Sequence, residues 1–466
     1  MKTVRIEERS IPVALEADVV VAGGGCAGVG AALAAARNGA RVVVLERLFC
    51  LGGTMTSGLM SKVAISPTNN GIAVDILGRL ESKGQAFLKS RPEVPVDPEA
   101  AKLLLDEMLR DAGVRVLYGS VISGAVKAGR SVSAALVENL DGTVAVGGKY
   151  FIDCTGDGQL AFKAGAGFRV GRDEDNLSSS PTLMFRVGDV DFPALFAFMR
   201  ANPDLCRSGH VTYSNHIMTP EETERKMADR MYAHFGDFVP FIEKILAEHP
   251  DRFDEAEKRV LLNRGLIFMN QPGSGHVLVN ASRIPGFRGD SAEELSAAMA
   301  EGRRQVACLF SFMKEFMPGF GKAFVFDTGA QLGIRESRRI DGEYVLTQED
   351  VHGLARFDDA IVTNHGGIEI HSVKERGTVI KELGPGQFYH VPYRCIVARD
   401  FENLYMAGRC FSASHAALSA ARNIAYCMAL GQAAGTAAAQ LCAAGKTDAR
   451  EIDMPALQAA LKPIIG

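Results

Sequence analysis

Asp18-Val19-Val20-Val21-Ala22-Gly23-Gly24-Gly25-Cys26-Ala27-Gly28 is the stretch from which the fold reads. Asp18 to Ala22 is an apolar run of strand length, and Gly23-x-Gly25-x-x-Gly28 follows it at once. An Ala-rich helical segment then runs to Asn38-Gly39, and Val42-Val-Val-Leu-Glu46 reads as a second buried strand. The chain therefore opens with a βαβ unit. In such a unit Gly23 permits the tight turn, Gly25 lets a pyrophosphate approach the backbone at the helix N-terminus, and Gly28 allows close helix–strand packing. Glu46, at the end of the second strand, is placed to accept from ribose hydroxyls. Strand, glycines, helix, strand and acid in this order predict a dinucleotide site rather than a tight turn alone. A carboxylate at 46 repels a 2′-phosphate, which disfavours NADP and leaves NAD and FAD.

Three later stretches separate those two. Leu51-Gly52-Gly53-Thr54 supplies backbone N–H groups at small residues beyond the second strand. Asp153-Cys154-Thr155-Gly156-Asp157 closes a strand with a short turn toward the cofactor. Leu404-Tyr-Met-Ala-Gly408-Arg409, followed by Ser412-Ala-Ser-His415, reads as strand, small-residue turn and helix start. A helix N-terminus there stabilises negative charge developing on a reduced flavin. Arg47 and Val121 complete the expected cofactor set.

Between these stretches, Asp97-Pro98 predicts an N-capped helix through Arg110, and Arg115 to Val121 a strand. Val132 to Leu140, Asp141-Gly142 and Thr143 to Val146 read as a hairpin, with Tyr150 to Cys154 a separate strand. From Arg172 the texture changes: Thr219-Pro-Glu-Glu222 and Ser291-Ala-Glu-Glu294 have the shape of capping boxes, and a long helix is expected from Ala292 to Met317. The expected fold class is α/β: a Rossmann-like FAD-binding domain, with a parallel sheet and β-meander, built from residues 1–171 and 391–466. An inserted α+β substrate lobe is expected over 172–390.

Composition narrows the function. Fifty-one basic and fifty-five acidic side chains in 466 residues leave a net charge of −4 with no long single-sign block, which argues against a nucleic-acid or anionic-membrane binder. Glycine is in excess, 49 residues grouped in doublets and triplets, as backbone brought close to a ligand requires. Nine cysteines stand singly with no C-x-x-C pair, so neither a disulfide framework nor a metal or iron–sulfur site is expected. The first residues carry acids and no apolar core, so no signal peptide is read and a cytoplasmic location is expected. Ile424 to Ala443, with Gly431 and Gly435 at GxxxG spacing, imitates a membrane helix. Its apolarity rests on alanine, however, and it includes Gln432 and Gln440, which favours a tightly packed core helix.

These residues resemble the FAD-dependent oxidoreductases of the glutathione-reductase-like flavoprotein superfamily, in their bacterial branch. The likeness runs through LGGxxTSG at Leu51 to Gly58, DxTGDG at Asp153 to Gly158 and GIRESRRIDGEYVLT at Gly333 to Thr347. It continues in Ile370-His371, YHVPYRC at Tyr389 to Cys395 and AGRCFSASHAALSAAR at Ala407 to Arg422. The resemblance implies noncovalent FAD, a redox reaction and a substrate lobe over the flavin. One departure stands out. Many members carry an acid after the glycine found here at 408, whereas this chain has Arg409, which suits either the FAD pyrophosphate or a substrate carboxylate.

Flavin chemistry needs a proton-transfer group and usually a cation to hold the substrate. His415, His371, Tyr393, Arg394 and Arg338 are the catalytic candidates. Against them stand plainer roles: a capping histidine at 415, domain-interface hydrogen bonds at 371 and 393–394, and an internal ion-pair network among Arg335, Glu336, Arg338 and Arg339. His365 and His371 lack metal-site companions. The expected activity is two-electron oxidation or reduction of a small polar substrate; the sequence leaves the oligomeric state open, a homodimer included. A flavoprotein for carbon transfer or RNA modification, or a non-catalytic electron-transfer subunit, is the alternative.

Overall fold

The computed structural model describes residues 10–206, 219–229, 231, 233–272, 275–374 and 377–466. Strand β1 (Val13–Ala22), helix α1 (Cys26–Arg37) and strand β2 (Val42–Leu45) form the expected βαβ unit. The strands pair in parallel from Val19↔Val42 to Ala22↔Leu45. Val19 to Ala22 are fully buried, as the apolar run demands of a strand covered on both faces. Strand Arg115–Leu117 extends the sheet beyond β2, and strand Gly142–Asp153 flanks β1 on the other side. Leu404–Met406 adds a parallel strand against Phe151–Asp153. The sheet begun near the N-terminus is thus completed by the C-terminal part of the chain.

The meander differs from the expected hairpin plus separate strand. Gly142–Asp153 is one continuous strand that pairs antiparallel with Ser131–Asn139 over its first half and parallel with β1 from Ala145 onward. Gly147-Gly148, which reads as a break, is instead a place of close approach. A Cβ at Gly148 would come within 2.7 Å of Val20 Cγ2. Upstream, the strand expected over 115–121 stops at Leu117; the chain turns at Gly119, and a new strand runs over Val121–Ala128.

Ile424–Ala443 is a helix laid along α1, inside the largest core. Among the described residues no helix is long and apolar enough to cross a membrane. Its small residues let two backbones touch: Cβ atoms at Gly431 and Gly435 would fall 1.9 and 2.1 Å from the carbonyl oxygens of Ala27 and Ala31. Gly30 of α1 repays the contact against Met428 O at 2.3 Å.

A second, five-stranded sheet has the order His234–Phe235, Phe268–Asn270, Val277–Val279, Phe185–Gly188, Phe324–Thr328. Helix Ala292–Phe316 covers one face, and a separate core drawn from Leu183 to Leu332 fills the space between them. Its start is capped as expected, Ser291 Oγ accepting from the Glu294 amide at 3.3 Å. The reciprocal half of the box is absent because Glu294 turns back to the Arg288 amide at 2.6 Å. Leu346, Val351, Ile361, Val362 and Ile368, all before 390, pack in the first core. The expected boundary at 390 therefore does not coincide with the division between the two cores.

Candidate active site

A cavity of about 490 Å³ opens at the carboxyl ends of the parallel strands, where open α/β sheets bind their ligands. Its floor is the turn between β1 and α1. Gly23 has φ +97°, and a Cβ there would come 2.6 Å from Cys154 O; at Gly28 a Cβ would overlap Gly23 O at 1.8 Å. Gly25 differs. A Cβ there would project into open space, nothing lying nearer than Gly53 Cα at 4.0 Å. Gly25 is also the N-cap of α1 and offers no side-chain cap, so the first amides of that helix are left for a ligand.

Glu46 lies at the cavity wall and is buried. Its carboxylate accepts from the amides of Gly24 at 2.6 Å and Leu48 at 2.7 Å, while burial raises its pKa. Arg47, Gly53, Thr54, Val121, Thr155, Gly156, Asp157, Gly408 and Arg409 all line the cavity. Gly52 stands just behind, with φ +91° and its amide donating to Gly24 O at 2.9 Å. Buried Asp153 braces the Thr155 turn, accepting from the Thr155 hydroxyl at 2.7 Å and the Ala161 amide at 2.9 Å. The second lobe closes the cavity with Gln331, Leu332, Ile334 and the helix start at Ser291 and Ala292.

The five catalytic candidates separate. Arg338 lines the cavity, its guanidinium 4.2 Å over the Phe162 ring. His415 opens a short helix, His415–Ala421, directly after the Gly408–Arg409 turn. Its Nδ1 is 2.7 Å from Glu336 Oε2, and Glu336 is itself fixed by Arg339 and by the Ser179 amide at 3.2 Å. Neither His415 nor the other three candidates are among the residues that line the cavity. His371 is buried between Arg283 and Thr378 at Nδ1 and Glu369 at Nε2, 3.2 Å away. Tyr393 sits in the core with its hydroxyl 2.6 Å from that of Tyr405 and 2.8 Å from Ala449 O. Arg394 faces outward onto Asp359 at 2.9 Å, stacked on Tyr344.

Sequence reasoning missed two participants. Glu336 read as one member of an ion-pair network, yet it also holds His415 across 79 residues of chain. Arg422 lines the cavity and lies seven residues after His415, two helical turns on. That spacing was available in the sequence.

FAD, the cofactor expected from the sequence, fits these residues. The open space above Gly25, the uncapped α1 amides and the buried carboxylate at 46 suit its ADP half. Arg409 Nη1 is a buried donor with no partner among the described residues, as a wall built for an anion would leave it. Similar solved structures include a geranylgeranyl bacteriochlorophyll reductase-like protein from Thermoplasma acidophilum, at 13% identity over 96% of this chain and 83% of that one, TM-score 0.47. The flavin-dependent brominase Bmp2 is similar at 12% identity over 96% of this chain and 83% of that one, TM-score 0.45. The p-nitrophenol 4-monooxygenase PnpA of Pseudomonas putida DLL-E4 is similar at 13% identity over 96% and 81%, TM-score 0.44. No curated protein matches the chain. A family model described as FAD dependent oxidoreductase matches residues 18–461, and the chain belongs to that family.

Proposed function

We propose that the protein carries out two-electron oxidation or reduction of a small polar organic molecule at noncovalent FAD, with His415 as the proton-transfer group. The observation that carries this reading is the His415–Glu336 pair. A carboxylate only accepts, so the proton of the neutral imidazole lies on Nδ1, and Nε2 keeps its lone pair. Nε2 has no hydrogen-bond partner among the described residues, and the His415 side chain keeps 13% of its surface exposed. Burial, then the charges of Arg339 and Arg422, lower the His415 pKa to about 4 despite the carboxylate beside it. At neutral pH the ring is therefore uncharged, with the Nε2 lone pair available.

FAD, when bound, supplies the electron-pair transfer; this chain supplies orientation and the proton route. Glu336 fixes the ring's tautomer and rotation, much as an acid orients a catalytic histidine elsewhere. Arg422, on the same short helix run, sets a positive charge at the cavity wall, where a polar substrate group is drawn. Leu332 and Ile334 from the second lobe exclude water from that end.

The test is anaerobic bleaching of the bound flavin by a panel of small metabolites, first with wild type and then with His415→Gln. A metabolite that bleaches wild type is expected to act about 10²-fold more slowly on the variant, with FAD content within about twofold. Equal bleaching rates per flavin would remove His415 from the chemistry.

A further inference from the structure

The sequence leaves Arg409 open between two anions, the diphosphate of the cofactor and a carboxylate of the substrate. We infer that Arg409 and Arg47, both anchored on Asp157, form a two-arginine clamp on the FAD diphosphate. Asp157 holds one guanidinium with each oxygen: Arg409 Nη2 donates to Oδ1 at 3.3 Å, and Arg47 Nη1 approaches Oδ2 at 3.5 Å. The Ser337 hydroxyl donates to the same Oδ1 at 2.9 Å and fixes the carboxylate from the second lobe. Arg47 Nη2 reaches Gln331 Oε1 at 3.5 Å, and Gln331 is held in turn by Ser57 at 2.9 Å. All three clamp residues line the cavity.

The Arg409 side chain has one course across the site. It crosses the Gly156 turn so closely that a Cβ at 156 would come within 2.4 Å of Nη2. Gly156 has φ +77° and Gly408 φ +84°, so glycine is favoured at both ends of that course. The guanidinium also lies within electrostatic reach of the Cys26 and Cys427 thiols, and Cys26 is the first residue of α1. Arg409 therefore stands beside the uncapped helix N-terminus. Arg47 directly follows Glu46, the residue on the ribose side.

Charge selects between the two anions. Arg47 and Arg409 less Asp157 leave one positive charge, to which the α1 N-terminus adds roughly half a charge. A diphosphate, carrying about two negative charges over several oxygens, balances this and gives both guanidinium forks acceptors. A single carboxylate gives too few. Nη1 of Arg409, buried without a partner among the described residues, is the donor such a ligand would satisfy.

The experiment uses the holoprotein and the FAD-stripped full chain. Release of FAD, followed by its fluorescence, is expected to be roughly 10- to 100-fold faster in Arg409→Met than in wild type, with Arg409→Lys between them. In the stripped chain, ADP is expected to bind wild type more tightly than adenosine does, and Arg409→Met to abolish that advantage while leaving adenosine affinity unchanged. Equal losses for ADP and adenosine, or an ADP-to-adenosine ratio unchanged in Arg409→Met, would overturn the clamp. Should that variant not fold, wild type alone decides: FAD release must quicken as salt rises, and release indifferent to salt counts against the inference.

Discussion

At Gly25 a single side chain decides occupancy. Gly23 and Gly28 are glycine because the protein's own backbone lies against them, so any larger residue there damages the fold. Gly25 has space instead, and a Gly25→Val variant is expected to fold with the wild-type circular dichroism spectrum while purifying colourless. Flavin released on denaturation and measured by chromatography checks this; a full complement of FAD in that variant would contradict the placement. His415 makes a pH prediction. Its folded pKa, about 4, lies below the ordinary value near 6.5, so between those limits the unfolded chain binds more protons and stability falls as pH falls. From pH 6.5 to 5, wild type is expected to lose about 1–2 kcal/mol more than His415→Gln in urea titrations. A larger loss in the variant would mean that the histidine is not buried in its neutral form. The places of Gly25 and Glu46 at the cavity were legible because strand, turn and helix fix them locally. The pairing of His415 with Glu336 is tertiary, and no spacing in the sequence records it.

Elements were legible where one physical rule acted alone. Asp97-Pro98 gave a capped helix at Pro98–Asp111, with the Asp97 carboxylate accepting from the amides of Glu99 and Ala100. The long helix ended at Phe316, one residue short of its expected limit at Met317. Where two rules competed, the reading slipped. Glycine doublets mark both turns and close approaches, and Gly148 of the 147–148 doublet proved to be the second kind. Arg394 stands in a motif that rejoins the first core, but its 3₁₀ turn at Tyr393–Cys395 points it outward to Asp359. The helix pair α1 and Ile424–Ala443 yields a contrast between two glycines that look alike in sequence. Gly431→Val drives a side chain into Ala27 O and is expected to lower the melting temperature by 10 °C or more, or to prevent folding. Gly78, inside helix Ile72–Ser82, has nothing within 4 Å of an added Cβ, so Gly78→Ala is expected to gain up to about 1 kcal/mol. Thermal melts of the two variants, side by side, check both signs.

Across the whole molecule, one dinucleotide turn serves one cavity at the ends of one parallel sheet. The glycine clusters at 165–171, 273–275 and 384–386 lack the spacing of a second such turn, and no C-x-x-C dithiol is present. Micromolar NADH or NADPH is therefore expected to bleach the flavin at 450 nm more slowly than about 1 s⁻¹, without saturation, in stopped-flow measurements. Faster saturable bleaching would require a nicotinamide site in this chain. Electrons are expected to come from an organic donor or a partner protein.

The seam between α1 and Ile424–Ala443 also bears on how the chain is made. During synthesis α1 emerges early, with a face of Ala27, Gly30 and Ala31 shaped for a helix that the ribosome delivers nearly 400 residues later. Strand Leu404–Met406 and the Gly408–Arg409 wall arrive in the same late stretch. The nascent first sheet must wait with an unmatched flank while the second lobe condenses on its own core. Cofactor capture then waits on that later stretch, and flavin supply acts on a chain that already carries both lobes.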